Sequence, residues 1–341
     1  MPATIRDVAK RAGVSIKTVS RVINNEPFVR ETTRQKVLVA IDELGFVANQ
    51  SARQLATGQS FAIGLIFHNA SWHYLQDVLR GVLKTARDSG YSTILHPCDV
   101  SKEEDIQEIL DMVSQQVVDG LLFTPPTDNA TTLLQALDKQ EFPFVRLTPS
   151  DRESPWPYVT ATDYRGAYDM THYLLSQGHK RIGYVVGPPE QRAAHDRFNG
   201  YQDALSEEGI VIAHELIGYG DDHFEAGFTA VQKLLDVQPR PTAVFCNNDE
   251  MAAGASAAVY EAGLSVPGDI SIAGFDDVTL ARQVWPALTT IKQPICEIAQ
   301  AGTQLLLGIL NGKELTQISQ EISTTLVVRK STGPPKGGAH P

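Results

Sequence analysis

The sequence predicts an α/β protein in which an N-terminal three-helix helix-turn-helix domain precedes two doubly wound α/β lobes. Three observations lead there. The opening 46 residues are basic and patterned as short helices, and a polar segment with a single large apolar residue follows. From residue 61 onward, apolar strands alternate with amphipathic helices in two successive runs. The 341 residues suffice for two to three domains of about 100–200 residues each. With 42% hydrophobic and 20% charged residues, the composition is that of a globular chain rather than a disordered one.

The helices follow from local signals. Thr4-Ile-Arg-Asp7 has the form of a capping box, with Ile5, Val8 and Ala9 at helical spacing behind it. Gly13 breaks that helix, and Ser15 is placed to cap a second one whose inward residues are Val19 and Val22. Asn24-Asn-Glu-Pro27 reads as a turn. A third helix, from about Thr32 to Leu44, presents Val37, Ile41 and Leu44 on one face and ends at Gly45. The segment Ala48–Ser60 holds about eight helix-compatible residues around Leu55, too few for a helix stable alone in water. It is either a linker or a helix that forms only against something else.

Buried strands are expected at Phe61–Phe67, Tyr91–Leu95, Gly120–Phe123 and Phe144–Leu147, and again at Arg181–Val186, Ala243–Cys246 and Ile270–Phe275. Apolar strands separated by helices imply parallel sheets covered on both faces. Ligands of such folds sit beyond the carboxyl ends of the strands. The boundaries drawn are 1–47 for the helical domain, 48–59 for the linker, 60–330 for the two lobes, and a disordered Gly/Pro-rich tail over 331–341.

Charge divides the chain the same way. Residues 1–60 carry nine Lys/Arg against five Asp/Glu, and the remainder carries 20 against 35, for a net charge of -11. A basic opening on an acidic body is suited to meeting a polyanion through the N-terminus alone. A helix-turn-helix of this size places its second helix in the DNA major groove. With Val19 and Val22 inward, Ile16, Lys17, Ser20 and Arg21 face outward. A lysine or arginine there reads guanine edges, and an apolar side chain meets a thymine methyl. Thr18 and Asn24 are short donors suited to phosphates, and a solvated helical cap is the plain alternative.

Other function classes find little support. No Gly-x-Gly-x-x-Gly, Walker loop, His-Glu-x-x-His or Gly-x-Ser-x-Gly occurs, so no enzyme is expected. Gly308-Ile-Leu-Asn-Gly312-Lys313 is one residue short of a phosphate loop and reads as a helix end. Asp276-Asp277 allows acid–base work, a ligand contact or a cap. Cys98, Cys246 and Cys296 lie far apart and the histidines are scattered, so neither metal nor cofactor is expected. With an odd, sparse cysteine count, no apolar window near 18 residues and no signal-peptide core in Met1–Asp7, the expected place is the cytoplasm.

The stretch Thr4-Ile-Arg-Asp-Val-Ala-Lys-Arg-Ala-Gly-Val-Ser-Ile-Lys-Thr-Val-Ser-Arg-Val-Ile-Asn24 resembles the opening of the lactose-repressor/galactose-repressor family of bacterial transcription regulators. Further segments resemble that family's motifs: Ala52-Arg-Gln-Leu55, Gln177–Gly183, Asn248–Gly254, Val266–Asp276 and Pro286–Pro294. Together they span about residues 3–330. The resemblance implies a homodimer bound to a near-palindromic operator, with hinge helices paired over its centre and Leu55 wedged into the minor groove, where an apolar side chain kinks a base step. Ala48 replaces a proline common before the hinge.

The resemblance also implies a body of periplasmic-binding-protein type with a mono- or disaccharide effector between the lobes. Arg197 matches the family's ligand-binding arginine, Asp276 the aspartate after Gly-Phe, and Asn248 the asparagine of the Asn-Asp pair. Tyr74 and Asp163 join them as pocket members. Asp222 stands where many sugar-sensing members carry an aromatic ring, leaving Phe224 or Trp72 as substitutes for stacking. Gln191 and Ala193 stand where purine-sensing members carry arginine and threonine, which argues against a purine. The tail lacks leucine heptads, so a dimer rather than a tetramer is expected. A transport-type sugar-binding protein and a repressor that needs a co-repressor are the alternatives; the first should have a signal peptide and no helix-turn-helix.

Overall fold

The computed structural model describes residues 3–23, 28–46, 58–68, 71–314 and 317–336. The chain divides into two compact units, residues 1–61 and 62–341. In the first unit, α1 (Ile5–Ala12), α2 (Ile16–Ile23) and α3 (Glu31–Leu44) enclose a core of Val8, Ala9, Val19, Val22, Val37 and Ala40. The Asp7 carboxylate accepts the Thr4 backbone N–H at 2.9 Å and its hydroxyl at 2.7 Å, which fixes the start of α1. Gly13 (φ 67°) and Gly45 (φ 55°) end α1 and α3 in the left-handed region, as their positions predict.

The second unit begins with β1 (Ala62–Phe67), α4 (Trp72–Asp88), β2 (Ser92–Pro97), α5 (Glu103–Ser114), β3 (Gly120–Phe123), α6 (Thr131–Lys139), β4 (Phe144–Leu147) and β5 (Tyr158–Ala161). The chain then enters a second lobe: α7 (Asp163–Ser176), β6 (Ile182–Val186), α8 (Arg192–Glu207), β7 (Ile217–Tyr219), α9 (Phe224–Asp236), β8 (Ala243–Cys246), α10 (Asp249–Glu261), β9 (Ser271–Asp276), α11 (Thr279–Gln283) and β10 (Thr289–Lys292). Helix α12 (Ile295–Leu310) returns to pack on α4 and the first sheet, followed by β11 (Ser319–Ile322) and β12 (Thr325–Val327).

The first sheet runs β11-β5-β4-β3-β1-β2, and the second β12-β10-β9-β8-β6-β7. All pairings are parallel except β10 with β12. Helices cover both faces of the central strands, so Ile63, Leu65, Ile66, Leu121, Leu122 and Phe123 are all fully buried. The seven expected strands are present, three with the boundaries read from the sequence. Strands β5, β7, β10, β11 and β12 escaped detection. They are short, and β11 in particular is mostly exposed, so none forms the apolar run that marks a central strand.

Three crossings join the lobes, at residues 162, 293–294 and 323–324. Two are tied side by side: the Thr324 N–H donates to Thr162 Oγ1 at 2.9 Å, and the two hydroxyls lie 3.0 Å apart. The disordered tail read from Ser331 onward is corrected as far as Lys336. Ser331 is fully buried, accepts the Thr289 N–H and donates to the Ile272 carbonyl. The Gly333 carbonyl lies 2.9 Å from His179 Nε2 and accepts the Ser271 hydroxyl. Composition misled here because small hydroxyl residues were available to serve the open ends of β9 and β10.

Close helix packing leaves no room at Gly200, where a Cβ would stand 2.3 Å from the Tyr164 carbonyl oxygen and 2.9 Å from the Tyr168 nitrogen. Both are backbone atoms of α7, which cannot swing aside. Gly200→Ala should therefore destabilise the body by about 1–3 kcal/mol. Urea unfolding followed by circular dichroism checks this; an unshifted midpoint would show that α7 and α8 part freely.

Candidate functional site

A cavity of about 550 Å³ opens between the two lobes, at the carboxyl ends of their strands. Arg197 of α8 lies at its floor, 5% exposed. Its Nε donates to Asp163 Oδ1 at 2.9 Å, and its Nη2 lies 2.9 Å from the same oxygen and 3.3 Å from Asp276 Oδ1. Its Nη1 donates to the Asn247 carbonyl at 2.7 Å. The guanidinium carbon sits 3.7 Å from the centre of the Phe275 ring, a cation–π contact. Burial opposes the charge, but Asp163, Asp276 and Asp222 outweigh it and hold Arg197 more firmly protonated than usual.

The carboxylates respond in the opposite sense. Burial pushes Asp276 up to about 7 against the pull of Arg197, with Asp222 and Asp163 adding to the rise. Asp163 and Asp222 are also raised by burial, and Arg197 restrains both. Asp276 Oδ1 makes no hydrogen bond of good geometry, although it faces the guanidinium. The site thus offers acceptor oxygens beside one committed cation, a set that matches a ligand rich in hydroxyl groups.

The loops that form the cavity are held in demanding conformations. Thr148, Asp222 and Asp276 all line it with positive φ, of 51°, 71° and 107°. L-residues rarely adopt such backbone, and binding sites are where it concentrates. Asp249, fully buried at the start of α10, anchors one of these turns. It accepts the Val278 N–H at 3.0 Å and the Thr290 hydroxyl at 2.6 Å, while Arg329 donates to Asp277. Gly274 lets Asp249 approach, since a Cβ there would lie 2.3 Å from its Oδ1.

Of the residues read as pocket members, Tyr74, Arg197, Asp222, Asn248 and Asp276 line the cavity. Asp163 does not; it lies beneath the floor and positions Arg197. Asn248 is committed to structure: its Oδ1 caps α10 through the Met251 N–H, and its Nδ2 donates to the Asp222 carbonyl. Asp222 accepts from Asn247 Nδ2 at 2.9 Å. Tyr74 Oη lies 3.5 Å from Thr148 Oγ1, and burial pushes its hydroxyl up to about 12. Trp72 and Phe224, the rings expected to replace an aromatic at 222, do not line the cavity, whereas Gln191 and Ala193 do. Sequence reading missed His68, Thr148, Gln293 and the anchor Asp249. Only Asp249 carried a signal, its place in the Asn-Asp pair, and that signal was spent on Asn248.

In the first unit, α2 carries the residues read as groove-facing. Ser15 Oγ accepts the Thr18 N–H at 3.1 Å and lies 2.9 Å from the Thr18 hydroxyl, capping the helix. Ile16 is 45% exposed and Lys17 is exposed, while Thr18, Ser20 and Arg21 are half-buried. Asn24, Leu55 and the rest of residues 48–57 lie outside the described residues. Among the described residues, no helix is long and apolar enough to cross a membrane, and no cluster of metal-ligating side chains occurs.

Comparison with known proteins agrees with this division. Residues 4–49 match the family described as bacterial regulatory proteins, lacI family, and residues 171–332 match the periplasmic binding protein-like domain. The HTH-type transcriptional repressor PurR of Klebsiella pneumoniae subsp. pneumoniae is 38% identical over 333 residues, covering 96% of each chain. The HTH-type transcriptional repressor CytR of Escherichia coli is 35% identical, over 97% of this chain and 96% of that one. A structure of the Lac repressor dimer bound to operator and the anti-inducer ONPF is 30% identical with a TM-score of 0.78, covering 98% of this chain and 100% of that one. A CelR–cellobiose complex is 29% identical with a TM-score of 0.74, covering 96% and 99%. With repressors as relatives along nearly its whole length, this protein is a DNA-binding transcriptional regulator and not an enzyme; the chain belongs to the lacI family of bacterial regulatory proteins.

Proposed function

We propose that this regulator is a cytoplasmic homodimeric repressor whose hold on a near-palindromic operator is modulated by a small, uncharged sugar in the interlobe cavity. The observation that carries the sugar is the pairing of Arg197 with Asp276 at the floor of a 550 Å³ cavity. A hydroxyl both donates and accepts, so a vicinal pair is served by a guanidinium next to a carboxylate. Phosphate or carboxylate groups are poorly served, because Asp163 and Asp276 already neutralise the arginine. The similar CelR–cellobiose complex supports a disaccharide-sized occupant. Ser15, Ile16, Lys17, Thr18, Ser20 and Arg21 meet the operator from α2 and its cap, Asn24 joins them, and Leu55 wedges into the minor groove.

The lobes are joined by three crossings, so a ligand that prefers one lobe angle shifts the population toward it, and only by its differential affinity. We infer that the sugar weakens operator binding by about 1–3 kcal/mol of coupling. The test is operator affinity with and without a panel of neutral sugars, using an operator obtained by selection from random DNA. Asp276→Ala should abolish the response to every sugar, since it removes the acceptor beside Arg197; operator affinity of the variant is measured with and without sugar so that the response is read as a ratio. A wild type unmoved by every sugar removes the inducer; a sugar that tightens binding makes the ligand a co-repressor.

Two further outcomes are expected. Leu55→Ala should weaken operator binding more than non-specific binding, because the wedge offsets an unstacking cost of about a few kcal/mol per step, whereas phosphate contacts carry the non-specific mode. Equal losses on both DNAs would take Leu55 out of the groove. Burial raises the folded pKa of Asp276 from the ordinary 3.8 to about 7, so the fold keeps a proton that the unfolded chain sheds. Its contribution to stability is full below about pH 4, declines as pH rises toward 7, and then levels off. Urea midpoints at pH 4.5 and 7.5 should therefore differ less in Asp276→Asn than in wild type; an equal difference would mean that Asp276 stays ionised throughout.

A further inference from the structure

The segment between β4 and β5 belongs to the first lobe by sequence but lies against the second. Arg146 of β4, fully buried, holds the segment in shape. Its Nη1 donates to the Asp151 carbonyl at 2.7 Å, and its Nη2 donates to Ser154 Oγ at 2.8 Å and the Trp156 carbonyl at 3.1 Å. From this braced strap two contacts cross to the second lobe. Ser150 Oγ accepts the Arg192 N–H in the first turn of α8 at 3.0 Å, and Arg152 Nη1 donates to Asp196 Oδ2 at 3.0 Å. Arg152 and Asp196 are only 14% and 13% exposed, so this is not a solvated surface pair.

Arg152 reaches further, toward the floor of the cavity. Its Nη2 lies 3.8 Å from Asp163 Oδ2, the oxygen that Arg197 leaves unused. Both atoms are buried and neither has a hydrogen-bond partner. Two buried, oppositely charged orphans thus face each other across a gap about 1 Å too wide for a hydrogen bond. Each carries a desolvation cost that closing the gap would remove. Asp163 Oδ1 meanwhile holds Arg197, which faces Asp276 and the cavity. The charges therefore form one row from strap to ligand site: Asp196, Arg152, Asp163, Arg197, Asp276.

We propose that Arg152 is an interlobe latch and a positioning residue for the effector site. Its bond to Asp196 holds the lobes near closure. A further approach of the strap by about 1 Å engages Asp163 Oδ2, orders the carboxylate that orients Arg197, and satisfies both orphans. This rests on the reading of the cavity as the effector site, but its test does not require the effector. The latch acts on the lobe angle of the empty protein, and a coupling of this kind multiplies whatever closure a ligand brings.

The experiment measures interlobe distance in the full-length protein by pulsed electron resonance. Spin labels are placed at Lys102→Cys in the first lobe and Lys233→Cys in the second, in a Cys296→Ser background. Arg152→Ala should lower the ratio of short to long distances by about fivefold, near the upper end for a partly exposed ion pair. Asp196→Asn should act in the same direction, and the double variant should add little to either. Arg152→Lys should restore part of the short-distance population, because a single ammonium reaches Asp196 without also meeting Asp163. Arg152→Gln serves if Arg152→Ala does not fold. Unchanged distances in folded Arg152 variants, or fully additive shifts in the double variant, would overturn the latch. A lowered short-distance ratio in the Arg152 variants, together with no response of the wild type to any sugar, would leave the latch standing and remove only the sugar.

Discussion

One buried guanidinium organises the body of this protein. Arg197 draws together the start of α7 through Asp163, the end of β8 through the Asn247 carbonyl and the end of β9 through Phe275 and Asp276. Three raised carboxylates, Asp163, Asp222 and Asp276, surround it, each kept from a larger rise by its charge. A charge in such a place is tolerated only with close partners, and removing one partner leaves the rest uncompensated. The cavity floor is therefore a balanced electrostatic unit, and any ligand that competes for Arg197 or Asp276 perturbs all of it.

That unit sits where the two lobes are joined. Asp163 directly follows the Thr162 crossing, and the Asp276 carbonyl accepts the N–H of Gln293 at the next one. The lobes on either side are close-packed, so the floor has little freedom to shift locally. The strap carrying Arg152 and Ser150 meets α8, the helix that carries Arg197, from the other lobe. The cavity floor, the crossings and the interlobe contacts are thus neighbours in space.

The helical unit rests on different physics. Its fully buried side chains are all small, among them Val8, Val19 and Val37, with larger ones such as Ile41, Leu44 and Phe46 only partly covered around them, and its helix ends are set by Thr4, Asp7, Gly13, Ser15 and Gly45. Local capping carries much of the specification because so little apolar surface is available. The acidic body and basic opening keep the polyanion-binding function confined to the smaller unit.

What the sequence by itself determined was whatever depends on near neighbours in the chain. The capping box at Thr4, the cap at Ser15, the glycine stops and the central strands such as Gly120–Phe123 all follow from spacing within a few residues. Arg197 and Asp276 were legible because they match positions of a known family, and Tyr74 because it falls at the start of the helix after the first strand; none shows a site by its own pattern. The tertiary structure alone decided that Asp163 holds Arg197 from below, that Asn248 is a cap, and that Asp249 anchors the Asp276 turn. It alone placed Arg152 against Asp196 and ordered Ser331 against Ile272. Each of these joins residues 29 or more positions apart, except the Asn248 cap, whose side chain is committed to hydrogen bonds within the fold. A carboxylate's role depends on which buried charge it meets, and that partner is chosen by how sheets and crossings fold back, a choice no local pattern encodes.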